Sequence, residues 1–199
     1  NMIKEVYNKE GFTGFYKGIF NKLLASQLAG ITALVQGCVD YGISDKKQIA
    51  YILATAFHET DKTMQPIKEY GGHDYFMNRY DVSGKNPQLA KDLGNTFVGD
   101  GANYCGRGFV MITGRANYSK FSNILNADFI RHPDHALGME NSVKIAVYGI
   151  MQGIFTGKKL SDYVNCTTSN YAQARRTING MDKADLIAGY AKKFEVALF

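Results

Sequence analysis

The stretch IAYILATAFHETDKTMQPIKEY, residues 49–70, decides the fold because it begins as a buried helix and ends as a polar loop. Ile49, Ile52 and Phe57 recur at helical spacing, and Glu59 follows on the same apolar stripe. A carboxylate there points inward near a helix C-terminus, where burial and the helix dipole both favour its protonated form. Glu59 is therefore a candidate general acid. The alternative is that the helix ends one turn earlier and Glu59 is a solvated end residue.

A second carboxylate, Glu69, lies ten residues further on, in a segment too short and interrupted to form core. We expect Glu69 to face Glu59 across a cleft while staying ionised. The cleavage of a glycosidic bond requires two carboxyl groups whose surroundings shift their pKa values in opposite directions. For an inverting reaction they would lie about 6.5–9.5 Å apart, which leaves room for a water. Asp61, Asp74 and Asp81 share the loop region and are alternative bases.

Composition limits the class of protein. The chain has 199 residues, 45% of them hydrophobic, which fits one domain with a real core, and no apolar run is long enough to span a membrane. We see no signal peptide and expect no integral membrane association. Three unclustered cysteines without CxxC spacing predict free thiols. The net charge of +5 suits a polyanionic bacterial envelope, but no basic stripe interleaved with aromatics indicates nucleic acid.

Helical periodicity predicts most of the secondary structure. A buried helix is expected over 24–41 with Gly42 as C-cap, followed by a helix that Ser44 caps and that runs to about Thr60. The short connection predicts that these two helices pack as an antiparallel pair. Asp182 is the predicted N-cap of the last helix. Further helices are expected at 118–125, 140–155, 171–177 and 182–198.

The rest of the chain reads as loops. Residues 2–20 are punctuated by glycine and predict a turn and loop, so we divide the chain into an N-terminal segment, 1–23, and a domain, 24–199. Glycines recur through residues 61–101 among Tyr70, Tyr75, Phe76 and Tyr80. Exposed tyrosines would suit a saccharide groove, and simple core packing is the alternative. A long loop in a compact domain is usually functional.

The second dense stretch is YCGRGFVMITGRANY, residues 104–118. Its residues 109–113 predict a short β-like run that ends in the hydroxyl of Thr113. Arg107 lies between two glycines, and we expect its planar guanidinium to orient Glu59 or Glu69. The alternative is a tight turn with an exposed arginine.

Several stretches in the same order carry a resemblance to a known family. They are AYILATAFHET, MQPIKEYGG, YCGRGFVMITGRANY, FTGKKLSDY and ARRTINGMDKADLIAGYAKKFEVAL. Together they resemble the catalytic domain of the glycoside hydrolase family 19 chitinases, and especially the chitinase-like endolysins of bacteriophages and prophages. The similarity extends from about Leu24 to the C-terminus.

This resemblance implies a mainly α, lysozyme-like α+β fold: a helical domain with a small β-containing lobe and a cleft between them. It also implies that Glu59 is the general acid, that Glu69 is the second carboxylate and that Thr113 holds the attacking water. Cys105 and Met111 depart from the family pattern, where a second Tyr and a Gln are common. The residues expected to bind substrate are His58, Tyr70, Tyr104, Arg107, Asn117, Tyr118 and Asn179.

The function that this resemblance implies is hydrolysis of β-1,4 bonds in bacterial peptidoglycan, by a monomer without cofactor. Action on chitin is the alternative, and a non-catalytic wall-binding or virion structural domain is the rival of another class. A zinc peptidase is disfavoured because His58 and Glu59 do not continue into HExxH. A phage endolysin would act from the host cytoplasm on the periplasm and wall, or be carried on the virion.

Overall fold

The computed structural model describes residues 18–198, which fall into two compact units. Unit 1 contains residues 18–65 and 146–198 of the described range, and unit 2 contains residues 66–145. The loop predicted over 2–20 falls mostly on residues that lie outside this range. The helices are α1 (Ala25–Asp40), α2 (Lys46–Glu59), α3 (His73–Tyr80), α4 (Pro87–Asp92), α5 (Asp100–Asn103), α6 (Arg115–Leu125), α7 (Met139–Gln152), α8 (Tyr171–Ala174) and α9 (Ala184–Leu198).

Helix α2 is the centre of unit 1. Every residue from Gln48 to Phe57 is buried, so the helix is covered on all sides rather than along one stripe. It packs mainly against α9, and α1 also contacts it. The ring of Phe57 meets those of Phe20, Tyr190 and Phe194 edge to face, with centroids 4.8–5.8 Å apart. Close aromatic packing of this kind fixes the position of the last turn of α2.

Two helix starts differ from the sequence prediction. The N-cap of α2 is Asp45, not Ser44, because the Asp45 carboxylate accepts a hydrogen bond from the Lys47 amide at 2.8 Å. The last helix begins at Ala184 rather than at residue 182. Lys183 has a φ of +59°, which is left-handed and cannot continue a helix, so Asp182 lies outside it.

Gly30 allows α1 to touch the chain that follows α2. A Cβ added to Gly30 would lie 1.6 Å from the carbonyl oxygen of Met64, so only glycine fits here. Two hydrogen bonds join the same two segments. The side chain of Gln27, in α1, donates to the Lys62 carbonyl at 3.0 Å, and the side chain of Gln65 donates to the Ser26 carbonyl in α1. The start of α1 is thereby fixed to residues 62–65, directly after Glu59.

Unit 2 contains a two-stranded antiparallel sheet of β1 (Ile67–Lys68) and β2 (Arg107–Gly108), in which Lys68 pairs with Arg107. The strand predicted over residues 109–113 is wrong. The chain turns there, with φ of +93° at Gly108 and +56° at Met111, and returns so that Ile112 bridges Arg107. The apolar residues of this turn are buried because they fill the interior of unit 2, not because they form a strand.

The region predicted as loops, 61–101, contains three short helices, α3 to α5. Its aromatic residues divide into two groups, so both interpretations of the cluster hold for part of it. Phe76 and Tyr80 are buried and pack with Cys105, whereas Tyr70 and Tyr75 keep 65% and 45% of their surface exposed. Only the second pair is available to a ligand.

The mainly α fold expected from the sequence is confirmed, with one small sheet among the described residues. The three cysteines are free thiols: Cys38 and Cys105 are buried, and Cys166 is exposed. Burial raises the pKa of Cys38 to about 12. Within residues 18–198 no helix combines the length and apolar character that crossing a membrane requires.

Two glycine substitutions test the packing of unit 1. Gly30→Ala forces a methyl group against the Met64 carbonyl and should lower the free energy of unfolding by about 1–3 kcal/mol. Gly189→Ala, in α9 with no atom within 4 Å of the new Cβ, should raise it by about 0.5–1 kcal/mol. Urea unfolding followed by circular dichroism measures both. Equal effects of the two substitutions would contradict the close contact at Gly30.

Candidate active site

Glu59 is the last residue of α2, and it forms an ion pair within unit 1. Its Oε1 accepts a hydrogen bond from Nη1 of Arg175 at 2.9 Å, and the two side chains are 18% and 3% exposed. The sequence correctly predicts a partly buried carboxylate at the helix end. It does not predict the arginine, whose positive charge lies against the carboxylate. Arg175 also fixes the rotamer of Glu59.

Arg175 is the functional candidate that sequence reasoning missed. It lies 116 residues from Glu59 in the chain, so no local spacing connects the two. Its Nε donates to the carbonyl of Asp182 at 2.9 Å, and its own carbonyl accepts from the Asn179 amide at 3.0 Å. The turn at Asn179 therefore holds Arg175 in place. The only signal in the sequence is that Arg175 falls inside the last of the family-like stretches.

Two further predicted residues lie in unit 1. His58 precedes Glu59 and is partly buried; burial lowers the pKa of its imidazole, while the negative charge of Glu59 acts in the opposite direction. The lowered pKa keeps His58 neutral near pH 7, so it can both donate and accept hydrogen bonds. Asn179 is exposed, and its side chain accepts from the Gly180 amide at 2.8 Å.

Glu69 follows β1 in unit 2, and neutral donors hold both of its carboxylate oxygens. Oε1 accepts from the hydroxyl of Tyr80 at 2.7 Å, and Oε2 accepts from the amide of Gly106 at 3.1 Å. The Glu69 amide in turn donates to the Gly106 carbonyl at 2.8 Å, which extends the β1–β2 pairing. A Cβ on residue 106 would lie 3.1 Å from Oε2, so glycine permits this close approach. The sheet thus positions Glu69.

Tyr80 is a dependable donor to Glu69. Burial raises the pKa of the Tyr80 hydroxyl well above its usual range, and the hydrogen bond to Glu69 raises it further. The phenol therefore stays protonated at any pH at which the protein functions. Its hydrogen bond to Glu69 is therefore always present and holds the carboxylate in position.

Arg107 does not orient either glutamate, contrary to the sequence prediction. It is 4% exposed, and its Nε pairs with Asp134 at 2.9 Å. Its Nη1 donates to the carbonyl of Asn103 at 2.8 Å and to the hydroxyl of Tyr118 at 3.0 Å. The alternative, an exposed arginine in a turn, is wrong as well. Arg107 joins β2, α5 and α6 inside unit 2.

Tyr104 and Tyr118 are also interior residues rather than ligand contacts. They are 3% and 0% exposed, and their rings pack together at 5.2 Å. The Tyr104 hydroxyl donates to the Ile130 carbonyl at 2.8 Å, and that of Tyr118 donates to the Cys105 carbonyl at 2.5 Å. Their hydrogen-bonding groups are used within unit 2, so we correct their assignment from substrate binding to structural support.

The remaining candidates of unit 2 keep access to solvent. Thr113 is partly buried, and its hydroxyl donates to the Met111 carbonyl at 2.8 Å, which leaves its oxygen lone pairs as acceptors. Asn117 donates to the Thr113 carbonyl at 2.9 Å and so fixes the backbone of that residue. Tyr70, next to Glu69, is 65% exposed.

The three aspartates that were alternatives to Glu69 have different surroundings. Asp81 is fully buried, and its carboxylate accepts from the Gly99 and Gly101 amides at 2.9 Å and from both donors of Ser83. It organises the loops of unit 2 and has no access to a water or a sugar. Asp74 is fully exposed beside His73, and Asp61 is exposed with a φ of +51°.

Between residues 18 and 198, no three His, Cys, Asp or Glu side chains come together in a group that could hold a metal ion. His132 and His135 stack on each other with ring centroids 4.9 Å apart.

Comparison with known proteins gives a consistent result. No protein-family model matches the chain. A glycosyl hydrolase family 19 domain-containing protein of Haemophilus influenzae is 29% identical over 152 residues, which cover 65% of this chain and 74% of that protein. The crystal structure of chitinase C from Streptomyces griseus HUT6037 superposes with a TM-score of 0.64 at 18% identity, over 97% of this chain and 92% of that one.

By sequence and fold, the chain resembles the family 19 glycoside hydrolases, and this resemblance supports a glycoside hydrolase. The crystal structure of a chitinase C mutant also superposes on this chain, with a TM-score of 0.51 and 17% identity over 92% of this chain and 77% of that one. The predicted resemblance to family 19 and the mainly α, chitinase-like fold are thereby confirmed. The roles given to individual residues stay predictions.

The buried Asp81 makes a pH-dependent contribution to stability. Burial raises the pKa of Asp81, but the hydrogen bonds from Ser83, Gly101 and Gly99 outweigh burial and bring it below the ordinary value of 3.8. A carboxyl group with a lowered folded-state pKa stabilises the protein above its unfolded pKa and loses this effect as the pH falls through the folded value. Asp81→Asn should therefore cost about 1–3 kcal/mol at pH 7.

This difference between wild type and Asp81→Asn should shrink as the pH falls below about 4, where the wild-type carboxylate takes up its proton. Urea unfolding at pH 7 and at pH 3 measures the change. The exposed Asp74→Asn substitution in the same unit is the matched control and should stay within about 0.5 kcal/mol of wild type. A difference for Asp81→Asn that does not vary with pH would contradict the assignment.

Proposed function

We propose that this protein hydrolyses the β-1,4 glycosidic bonds of bacterial peptidoglycan by an inverting mechanism. The observation that carries the proposal is that two partly buried glutamates are held in chemically different ways. Glu59 pairs with a cation, Arg175, whereas two neutral donors hold Glu69. Distinct surroundings for two carboxyl groups are how glycosidases divide the acid and base roles.

Glu59 takes the role of general acid. Arg175 holds only its Oε1, and Oε2 accepts none of the hydrogen bonds found among residues 18–198. The proton to be transferred therefore belongs on Oε2. When a sugar displaces water from this partly buried group, Arg175 keeps the carboxyl group oriented toward the leaving oxygen.

Glu69 takes the role of base. Its two hydrogen bonds use one lone pair on each oxygen, so each oxygen can accept a further hydrogen bond from a water. Thr113 supplies an acceptor for the second proton of that water, because its own proton is directed to the Met111 carbonyl. A water held between a carboxylate and a hydroxyl is polarised for attack on the face of the sugar opposite the leaving group.

Two considerations support peptidoglycan as the substrate. The net charge of +5 complements an anionic cell wall, and the sequence stretches resemble those of phage and prophage endolysins. The similar solved structure is a chitinase by name, which makes chitin the second candidate. The two polymers differ in the lactyl group that peptidoglycan carries on every other sugar.

Digestion of purified sacculi tests the reaction. The protein should release muropeptides with a new reducing-end sugar, which mass spectrometry identifies and which an amidase or peptidase would not produce. Glu59→Gln keeps the contact with Arg175 but removes the proton donor, so the rate should fall by about 10²–10⁴-fold.

Glu195→Gln is the matched control, because Glu195 also lies in unit 1 and accepts a hydrogen bond from a buried partner, Tyr171, at 2.7 Å. It should keep wild-type activity. Release of peptides without new reducing ends would overturn the glycosidase proposal. Near-normal activity of a folded Glu59→Gln protein would remove Glu59 from the mechanism.

The hydroxyl of Thr113 can be tested separately. Thr113→Val keeps the branched shape but removes the acceptor for water, so kcat should fall about tenfold while KM changes little. Thr113→Ser should restore most of the rate. NMR of the first product from a soluble oligosaccharide should show an inverted anomeric centre. A retained anomer would exclude direct attack by water and with it the role of Thr113.

A further inference from the structure

A pocket of about 410 Å³ opens on the surface of unit 2, between α3 and α4. We call it the α3–α4 pocket. None of its lining residues belongs to the predicted catalytic or substrate-binding set. Its lining residues are Tyr75, Asn78, Arg79, Lys85, Asn86 and Leu89.

The α3–α4 pocket is cationic. Arg79 and Lys85 line it, no carboxylate does, and neither cation forms an ion pair with any residue of the described range. The guanidinium of arginine matches a carboxylate with two parallel donors, and the ammonium of lysine adds a second charge. The charge and the donors of this pocket therefore fit an anionic ligand.

Local packing builds the walls of the pocket. The side chain of Asn86 accepts from the Leu89 amide at 3.1 Å, which leaves its NH₂ group to donate, and the Lys85 amide donates to the Asn78 carbonyl at 2.9 Å. The ring of Tyr75 packs against that of Phe76, with centroids 5.5 Å apart, and remains 45% exposed. An aromatic face beside amide donors suits the apolar face and hydroxyls of a sugar.

The α3–α4 pocket lies one side chain away from Glu69. The guanidinium of Arg79 is 5.3 Å from the centroid of the Tyr80 ring, and the hydroxyl of Tyr80 donates to Glu69 at 2.7 Å. All three residues belong to unit 2. A sugar positioned for attack near Glu69 would thus bring a substituent on the same or the next ring within reach of Arg79.

We propose that the α3–α4 pocket binds a carboxylate borne by the lactyl-substituted sugar of peptidoglycan. This inference rests on the proposed function and deepens it, because it names the group by which the protein distinguishes its substrate. In peptidoglycan the lactyl carboxyl group is joined to the peptide by an amide bond, so the carboxylate comes from that peptide, or from the lactyl group itself on a sugar whose peptide has been removed. Chitin carries neither and gains nothing from Arg79 and Lys85.

Calorimetric titration of the intact protein tests the pocket by binding rather than by turnover. Three ligands are compared: a disaccharide-peptide muropeptide, the same disaccharide without its peptide, and a neutral tetrasaccharide of N-acetylglucosamine. The double variant Arg79→Gln/Lys85→Gln should bind the muropeptide about three- to thirtyfold more weakly, the loss expected for two exposed ion pairs. Its affinity for the neutral tetrasaccharide should stay within twofold of wild type.

The matched control is Lys91→Gln/Lys120→Gln, which removes two exposed cations of unit 2 that do not line the pocket. It should bind all three ligands as wild type does. Added salt should weaken muropeptide binding by wild type more than by the pocket variant. Loss of affinity for the peptide-free disaccharide as well shows that the pocket also binds a free lactyl carboxylate, and retention of that affinity assigns the peptide carboxylate alone.

Unchanged muropeptide binding by the pocket variant, an equal loss on the neutral tetrasaccharide, or an equal loss in the control would each overturn the pocket. Salt-insensitive muropeptide binding by wild type would do so as well. The proposed function fails in a different way. If the protein shows charge-dependent binding but sacculi yield no new reducing ends, carboxylate binding by the pocket is supported and hydrolysis of peptidoglycan is contradicted.

Discussion

The ion pair between Glu59 and Arg175 links the end of the central helix to the segment that precedes α9. A partly buried carboxylate without a partner is costly, and so is an arginine that is only 3% exposed. Each side chain therefore requires the other. The packing of α2 on α9 brings the two parts of unit 1 together, and the turn at Asn179 holds the arginine main chain. A displacement of α9 would therefore also move Arg175 and the side chain of Glu59 that it binds.

The second glutamate depends on a different kind of interaction. Main-chain pairing between β1 and β2 places Glu69 beside Gly106, and the two donors to its carboxylate are both uncharged. Unit 1 thus fixes its carboxylate with charge, and unit 2 does so with hydrogen bonds from a peptide and a phenol. Hydrogen bonds from neutral groups are less sensitive to salt than ion pairs are. Added salt should therefore weaken the contact between Glu59 and Arg175 more than the hydrogen bonds to Glu69.

Periodicity in the sequence predicts the long helices well, because α1, α2, α7 and α9 cover nearly the residues expected for them. It fails over residues 109–113, since a short apolar run is equally consistent with a strand and with a buried turn. Helical spacing and position in the sequence identify the two glutamates but not the side chains that bind them. Local spacing cannot reveal the role of Arg175, because its partner is 116 residues away in the chain. It also cannot identify the partner of Arg107, because Asp134 lies in another part of the chain.

The three thiols differ in accessibility, and this gives the protein a chemical handle. Cys38 and Cys105 are enclosed by packed side chains, and burial raises the pKa of both, so neither forms the reactive thiolate readily. Cys166 is exposed in the short turn bridged by Val164 and Ser169, in unit 1. A maleimide dye should therefore attach at one position of the sequence, and fluorescence from that position can report whether the protein binds a given polysaccharide.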